Sequence, residues 1–270
     1  MKLEGKRVLI TGGAGGLGLA MAADFASRGA RLALADINAA ALASLTERFP
    51  QALLLELDVT DEASIQRAAD RVGSQWGGLD VLVNNAGIVF GGELSSVSAE
   101  QHRRTVDINL TGTILVTRAF VPLMEGEKDF RIVFIASASG YIPLPMASSY
   151  ASSKWAVRGF ASSLSEELRL RGFAGTRVLT VCPSYIGTGL FEGARAPLLT
   201  PILETEAVSR AVVRAVQRKR TRLDLPWSVT LLKLLHRLWP YPLWLAFLRL
   251  AGISTSMVKW TGRGKSAGEK

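Results

Sequence analysis

The chain has 270 residues, of which 48% are hydrophobic and 20% are charged, which predicts one large domain with a buried core. The single cysteine, Cys182, excludes an internal disulfide and predicts a reducing compartment. The first residues contain no apolar run long enough for a signal peptide, so we expect a cytoplasmic protein. No metal site is predicted.

The net charge of +9 is unevenly distributed along the chain. Residues 207–270 contain 13 Lys and Arg against 2 Asp and Glu, whereas residues 1–206 contain 19 against 21. Such a basic segment attracts nucleic acid or an anionic membrane surface. Its basic residues alternate with bulky apolar ones, which suits lipid better than a phosphate groove. We therefore predict no nucleic-acid partner.

A glycine-rich turn follows the first predicted strand, at residues 6–10, and leads into an Ala-rich helix that ends near residue 28. Strand, glycine turn and helix form the context of a dinucleotide-binding loop. Glycine lets the main chain approach a pyrophosphate, and the helix N-terminus presents free N–H groups to it. The cofactor contacts predicted here are Gly12, Gly16, Leu17 and Gly18. An ordinary tight turn without a ligand is the alternative.

Asp36 ends the second predicted strand, at residues 32–35, and lies 18 residues after Gly18. A carboxylate at that distance accepts hydrogen bonds from the adenosine ribose and repels a 2′-phosphate. No basic residue follows it, since Ile37 and Asn38 come next, so the sequence favours NAD over NADP. The alternative is that Asp36 caps a helix predicted at residues 39–49.

Strands and helices alternate along the rest of the chain. Strands are predicted at 51–57, 80–83, 131–136, 176–181 and 223–226, and helices at 61–75, 98–124, 150–171 and 206–217. This alternation predicts an α/β fold, a single-domain Rossmann-like doubly wound parallel sheet. Ligands bind such sheets at the carboxyl ends of the strands. Residues at predicted strand ends are Gly12, Asp36, Asp58, Asn85, Ser137 and Pro183.

Tyr150 and Lys154 are four residues apart in a predicted helix, so their side chains share one helical face. An ammonium about 5 Å from a phenol stabilises the phenolate by roughly 3 kcal/mol, or about two pKa units. The pair therefore predicts a Tyr150 pKa low enough for general acid/base chemistry. A surface Tyr and Lys at a helix start is the alternative.

Four motifs together resemble the single-domain short-chain dehydrogenases/reductases over about residues 5–190: TGxxxGxG at 11–18, NNAG at 84–87, a serine thirteen residues before Tyr150, and YxxxK at 150–154. The resemblance implies that Tyr150 exchanges the substrate proton and that Ser137 steadies the substrate oxygen. It implies that Lys154 lowers the Tyr150 pKa and binds the nicotinamide ribose. Asn109 would hold a water that links Lys154 to solvent.

The same resemblance implies further cofactor contacts and a homo-oligomer. Asp58 and Val59 would contact the adenine. The adenosine side would be lined by Asn85, Ala86 and Gly87. Pro183 would also contact the cofactor, and Thr188, further along the same loop, would meet the nicotinamide carboxamide. Two features depart from the family pattern. Ser184 stands where the family usually has glycine, and Ser139 is an alternative to Ser137.

The domain is predicted to end near residue 225, with a helical extension at 226–261 and a disordered tail at 262–270. Residues 227–250 are apolar and aromatic, but Pro240, Pro242 and several charges argue against a membrane span. The extension could lie on a membrane surface, cover the substrate, or form a dimer contact. It resembles the tail of the retinol and hydroxysteroid dehydrogenases, which implies a lipophilic substrate.

The sequence thus predicts an NAD-dependent oxidoreductase that interconverts an alcohol and its carbonyl on a steroid, retinoid or long-chain alcohol. An NADPH-dependent carbonyl or acyl-thioester reductase is the alternative among enzymes. From another class, the alternative is a nucleotide-sensing binding protein.

Overall fold

A computed structural model describes residues 1–126, 129–198 and 200–262. The strands in these ranges form one parallel sheet in the order β3-β2-β1-β4-β5-β6-β7. They are β1 Arg7–Thr11, β2 Arg31–Asp36, β3 Leu53–Glu56, β4 Val81–Asn84, β5 Arg131–Ile135, β6 Arg177–Pro183 and β7 Arg222–Leu225. The sheet confirms the predicted α/β, doubly wound fold.

Helices cover both faces of the sheet. They are α1 Gly16–Ala26, α2 Ala39–Ala43, α3 Glu62–Trp76, α4 Ala99–Val106, α5 Gly112–Phe120, α6 Ser148–Leu170, α7 Thr205–Gln217, α8 Ser228–Leu238 and α9 Tyr241–Leu250. One apolar layer joins the sheet to α3, α5 and α6, and the other joins it to α1, α2 and α7.

Successive residues of each strand supply these two layers in turn, as the alternation of side chains along a strand requires. Val8 and Ile10 of β1 pack against α1 and α7, whereas Leu9 packs on the other face. Ile132 and Phe134 of β5 lie on the face of Leu9. The strands are apolar on both faces because both faces are covered.

The order of the strands reverses between β1 and β4. The chain runs outward from β1 to β3, then returns to place β4 on the other side of β1. Loops leave β1 and β4 in opposite directions at that point and open a crevice at the carboxyl ends of the strands. Thr11 and Asn84 end these two strands, so the residues that follow them face the crevice.

Two predicted helices differ from those observed. The helix predicted at 39–49 is reduced to α2, because the hydroxyls of Ser44 and Thr46 bond back to backbone carbonyls and end it in turns. Residues 98–124 are not one regular helix, since a π-helical turn at Asp107–Thr111 separates α4 from α5. The predicted disordered tail lies, apart from Gly262, outside the described residues.

Among the residues that the structure describes, one helical stretch is long and apolar enough to cross a membrane. It is Ala99–Leu123, with a mean hydropathy of 1.2, and 39% of its most apolar window is buried in the fold. The stretch packs against α3 and α6. Its apolar residues therefore have partners within the domain.

Asp80 fastens β1 to β4 at the amino ends of these strands. Its carboxylate accepts from Lys6 Nζ at 2.6 Å and from Arg7 Nε at 2.7 Å and the Arg7 backbone N at 2.9 Å. Burial raises the pKa of Asp80, but the hydrogen bonds from Arg7 and Lys6 outweigh it and hold that pKa below its ordinary value. The carboxylate is therefore ionised wherever the protein is folded near neutral pH.

We expect Asp80→Ala to lower the free energy of unfolding by about 3 kcal/mol, because it removes the buried member of an ion pair. Urea denaturation near pH 7 measures this loss. Since the folded pKa of Asp80 is lowered, the difference from wild type should shrink as the pH falls through that pKa. Asp70→Ala, an exposed position on α3, is the control and should cost less than about 0.5 kcal/mol. Equal losses in both variants would contradict this account.

Candidate active site

The crevice between β1 and β4 continues as a cleft across the carboxyl edge of the sheet. It brings together every residue for which a cofactor contact is predicted: Gly12, Gly16, Leu17, Gly18, Asp36, Asp58, Val59, Asn85, Ala86, Gly87, Tyr150, Lys154, Pro183 and Thr188. Ser137 lines the same cleft. Asn109 does not, and it lies behind the loop that follows β4.

The glycine turn is closed by contacts that leave no room for side chains. Gly12 has a φ of 62°, and a Cβ on Gly18 would lie 2.1 Å from the Gly12 carbonyl oxygen. A Cβ on Gly16 would lie 3.2 Å from the Thr188 side chain. Gly15 precedes α1 without a capping side chain, so the helix N-terminus faces the cleft with backbone N–H groups. This cradle suits a phosphate group.

A hydrogen-bonded junction holds the ends of β1 and β4 together beneath the turn. The hydroxyl of Thr11 accepts from the backbone N of Asn85 and of Ala86, at 3.0 and 3.1 Å. The side-chain amide of Asn85 donates to the carbonyls of Thr11 and Gly12, at 2.9 and 3.1 Å. Asn85 thus fixes the glycine turn, a role that the sequence motif did not reveal.

Asp36 lies where β2 ends, beside the glycine turn. Its carboxylate accepts from the backbone N of Ala14 and of Asn38, each at 3.1 Å. The N-cap of α2 is Asn38, whose side chain accepts from Ala41 N at 2.9 Å. The alternative in which Asp36 caps this helix is therefore wrong, and its carboxylate faces the cleft.

Asp58 and Val59 form the cleft wall after β3. Asp58 Oδ1 accepts from the backbone N and hydroxyl of Thr60, at 2.8 and 2.7 Å. Val59 packs against the start of α5, where a Cβ on Gly112 would lie 2.7 Å from the Val59 side chain. The wall is therefore a fixed apolar surface with a polar rim.

Tyr150, Ser137 and Lys154 meet at the centre of the cleft. Tyr150 is 4% exposed and Lys154 is 5% exposed, and Ser137 lines the cleft beside them. Lys154 Nζ donates to the Ile135 carbonyl at 2.9 Å and lies 5.6 Å from the centre of the Tyr150 ring. Phe191 packs edge-on against that ring, with 5.6 Å between ring centres.

Burial shifts the pKa of Tyr150 in the direction opposite to the one expected from the sequence. It raises the pKa of Tyr150 above its ordinary value, and the nearby Ser137 side chain only partly opposes this. Burial also lowers the pKa of Lys154 to about 8. The prediction that Lys154 lowers the Tyr150 pKa is not met in this structure, since the spacing of two residues carries no information about desolvation.

Asn109 lies within the π-helical turn between α4 and α5. Its side-chain amide donates to the carbonyl of Ile88 at 2.9 Å and to Ser153 Oγ at 3.1 Å, and its Oδ1 accepts from Ile88 N at 2.8 Å. These bonds fasten the loop after β4 to α6. A Cβ on Gly87 would lie 3.1 Å from Asn109 Oδ1 and 3.5 Å from Lys154 Nζ, so Gly87 keeps this approach open.

Ser137 is better placed than Ser139 for contact with a substrate. Ser137 lines both the cleft and a smaller apolar cavity beyond it, whereas Ser139 lines only the cavity. Ser137 Oγ also accepts from Ser139 N at 3.1 Å, which fixes its orientation.

Some residues of the site have no sequence signal. Phe191 and Tyr185 pack edge-on, 5.3 Å apart, and form the wall beside Tyr150. Ser184, where the family usually has glycine, donates from Oγ to the carbonyl of Pro201 at 3.1 Å and so ties down the loop after β6. Nδ1 of His102, on α4, lies 2.5 Å from Ser149 Oγ at the start of α6.

No cluster of three or more His, Cys, Asp or Glu that could hold a metal occurs within the described ranges. The glycine cradle, the Asp36 carboxylate and the apolar wall at Val59 line one cleft and together fit a dinucleotide, because they offer contacts for phosphate, ribose and adenine.

Comparison with known proteins identifies the family. The family described as short chain dehydrogenase matches residues 6–198. Over 88% of this chain and 81% of its own length, mouse estradiol 17-beta-dehydrogenase 11 is 33% identical. Mouse epidermal retinol dehydrogenase 2 is 30% identical over 97% of this chain and 87% of its own.

This chain belongs to the short-chain dehydrogenase family. A solved structure of a short-chain dehydrogenase/reductase from Burkholderia phymatum in complex with NAD aligns with a TM-score of 0.80 and 26% identity, over 88% of this chain and 94% of that one. The resemblance predicted from the motifs is confirmed, and the protein is an oxidoreductase of hydroxyl and carbonyl groups.

We expect Gly18→Ala to weaken dinucleotide binding strongly, because the new Cβ would overlap the Gly12 carbonyl and displace the turn. Gly159→Ala is a matched control within α6, where a Cβ meets no atom within 4 Å. Calorimetric titration with NAD should show at least about a hundredfold weaker binding for the first variant and unchanged binding for the second. Unaltered affinity in Gly18→Ala would contradict the placement of the phosphates at this turn.

Proposed function

We propose that this enzyme oxidises a lipophilic alcohol to its ketone or aldehyde, and catalyses the reverse reaction, with NAD as the cofactor. The observation that carries the proposal is the meeting of Tyr150, Ser137 and Lys154 at the floor of a cleft that also contains the glycine turn and Asp36. When bound, NAD would supply the hydride chemistry. The protein's own residues would move the proton and orient the substrate.

Tyr150 is the general acid/base in this proposal. During oxidation its phenolate oxygen takes the proton of the substrate hydroxyl, and during reduction its hydroxyl returns that proton to the carbonyl oxygen. Ser137 Oγ hydrogen-bonds the same substrate oxygen and holds it near Tyr150. The Lys154 ammonium lies 5.6 Å from the centre of the Tyr150 ring, where its positive charge would oppose the effect of burial on the Tyr150 pKa.

Lys154 and Asn109 complete the proposed tetrad. Lys154 would also bind the ribose hydroxyls of the cofactor, from the position that it holds beside Gly87. The proposed role of Asn109 is to hold a water that links Lys154 to solvent. The bonds from its side chain to Ile88 and Ser153 fix the loop after β4 against α6, next to Lys154.

Asp36 supports NAD as the cofactor. Its carboxylate faces the cleft beside the glycine turn, and Ile37 extends the wall without adding a positive charge. A 2′-phosphate would lie against this carboxylate with no cation from the end of β2 to balance it. The structural relative from Burkholderia phymatum was solved with NAD.

An apolar cavity beyond Ser137 supports a lipophilic substrate of the steroid or retinoid class. It is lined mainly by apolar and aromatic side chains, including Ile142, Leu144, Tyr185 and Ile253. The relatives named above are estradiol and retinol dehydrogenases. The cavity has a volume of about 40 Å³, which is too small for a steroid or retinoid. Binding of such a substrate would therefore require the loop after β6 and the C-terminal residues to move apart.

Hydrogen bonds between these two segments mark where that movement would occur. Trp260 Nε1 donates to the Leu190 carbonyl at 3.1 Å, and Arg195 N donates to the Ser256 carbonyl at 2.9 Å.

A homo-oligomer and a cytoplasmic location remain predictions.

We expect Tyr150→Phe to reduce turnover by about a thousandfold while NAD binding is retained, since only the proton-exchanging hydroxyl is removed. The assay follows NADH absorbance with a panel of steroid, retinoid and long-chain alcohols. Tyr241→Phe, an exposed position on α9, is the matched control and should keep full activity. Loss of both turnover and NAD binding would mean that Tyr150 is structural. A wild-type protein that binds NAD but oxidises none of the alcohols would favour a nucleotide-sensing protein.

We expect wild type to bind NADH at least about tenfold more tightly than NADPH, and Asp36→Ala to reduce or reverse that preference. The reason is that the substitution removes both the ribose acceptor and the charge that repels a 2′-phosphate. Cofactor fluorescence titration measures both affinities. Glu47→Ala removes an exposed charge just beyond α2 and should leave the ratio unchanged. Tighter NADPH binding by wild type would overturn the choice of cofactor in favour of an NADPH-dependent reductase.

A further inference from the structure

Helices α8 and α9 form a hairpin whose inner face is buried and whose outer face is apolar. Val229, Leu232, Trp244 and Leu248 point inward and are at most 1% exposed. The outer face, which we call the hairpin face, exposes between 39% and 88% of each of its large apolar side chains: Trp227, Leu234, Leu238, Trp239, Tyr241, Leu243 and Leu250. No other segment of comparable length within the described residues exposes so many.

The hairpin is fastened to the domain from its inner side. Lys233 of α8 forms an ion pair with Asp224 of β7, and both side chains are largely buried. The Lys233 ammonium also lies 4.5 Å from the centre of the Tyr141 ring, and the guanidinium of Arg158 stacks on that ring at 3.2 Å. The hairpin face is therefore a fixed part of the fold rather than the surface of a loose tail.

The apolar layer beneath the hairpin continues into the substrate cavity. Ile142 and Ile253 pack with Leu232, Trp244 and Leu248 of the hairpin. The same two residues line the cavity that adjoins Ser137. Whatever the hairpin face binds is thus separated from the cavity by one layer of side chains.

The charged residues of the segment that contains the hairpin are all basic. Residues 226–262 contain four Lys or Arg and no Asp or Glu. Arg237 and Arg249 are exposed on the hairpin, and neither forms an ion pair with any described residue. An anionic surface complements such a patch, and each basic residue near it contributes about fivefold in affinity.

We propose that the hairpin face docks on the surface of an anionic lipid bilayer, so that the substrate cavity lies just above the lipid. Exposed Trp and Tyr beside Leu and Arg are typical of helices that lie in the membrane interface. The proposal rests on the proposed function only for the lipophilic substrate, which would pass between bilayer and cavity. It identifies the surface through which that passage occurs.

A second copy of the chain fits the hairpin face less well. A two-fold dimer places the same patch on both sides of the interface. Arg237 and Arg249 of both copies would then lie in one interface, and residues 226–262 provide no carboxylate to balance these four charges. A bilayer containing phosphatidylserine has no such conflict.

Vesicle flotation of the full-length protein tests the proposal. Wild type should bind vesicles of phosphatidylcholine that contain about 30% phosphatidylserine, a content close to that of an anionic leaflet. Its binding to pure phosphatidylcholine should be at least about thirtyfold weaker. Leu238→Glu with Leu243→Glu should weaken binding to the anionic vesicles at least about tenfold. Arg237→Gln with Arg249→Gln should weaken it by about thirtyfold while leaving the weak binding to neutral vesicles unchanged.

Leu170→Glu is the matched control, because Leu170 is 76% exposed at the end of α6, outside the hairpin. This variant should bind like wild type, and circular dichroism checks that every variant is folded. Absence of wild-type binding, full binding by the Leu238/Leu243 variant, or equal loss in Leu170→Glu would each overturn the proposal. The proposal would also be overturned if wild type were a dimer and the Leu238 and Leu243 substitutions converted it to a monomer that still bound vesicles. Tyr150→Phe should still bind vesicles, so failure of the proposed function would be seen separately.

Discussion

The hydroxyl of Thr11 and the side-chain amide of Asn85 join the carboxyl ends of β1 and β4, and the rest of the site depends on this junction. The bond from Asn85 to the Gly12 carbonyl fixes the turn into which Gly18 fits without a Cβ. The parallel sheet then brings the ends of β2, β3, β5 and β6 to the same edge. Residues far apart in the chain form one cleft because two strands are held in register at this point.

Much of the site could be predicted from the sequence because its signals are local. The glycine spacing, Asp36 at the end of an apolar strand, and the four-residue interval between Tyr150 and Lys154 each depend on one element. The alternation of strands and helices then gives the edge at which those elements meet. The same reasoning gave the correct family, which the match over residues 6–198 confirms.

The remaining features depend on packing between distant elements, which local patterns do not encode. Desolvation raises the pKa of Tyr150 and lowers that of Lys154, and no spacing rule reports how deeply a pair is buried. The contact of Phe191 with Tyr150 requires the loop after β6 to fold back over α6. The π-helical turn at Asn109 was equally hidden, because the surrounding residues have an ordinary helical pattern.

The central claim is that the redox ring of the dinucleotide lies beside Tyr150 and Lys154. Proton release on NAD binding tests this claim most directly, because a cationic nicotinamide ring favours the deprotonated forms of both groups. Calorimetry near pH 8, in buffers of different ionisation enthalpy, counts the protons, and that pH matches the Lys154 pKa of about 8. We predict release by wild type and none by Tyr150→Phe with Lys154→Met. Binding without proton release, or equal release by the double variant, would contradict the account.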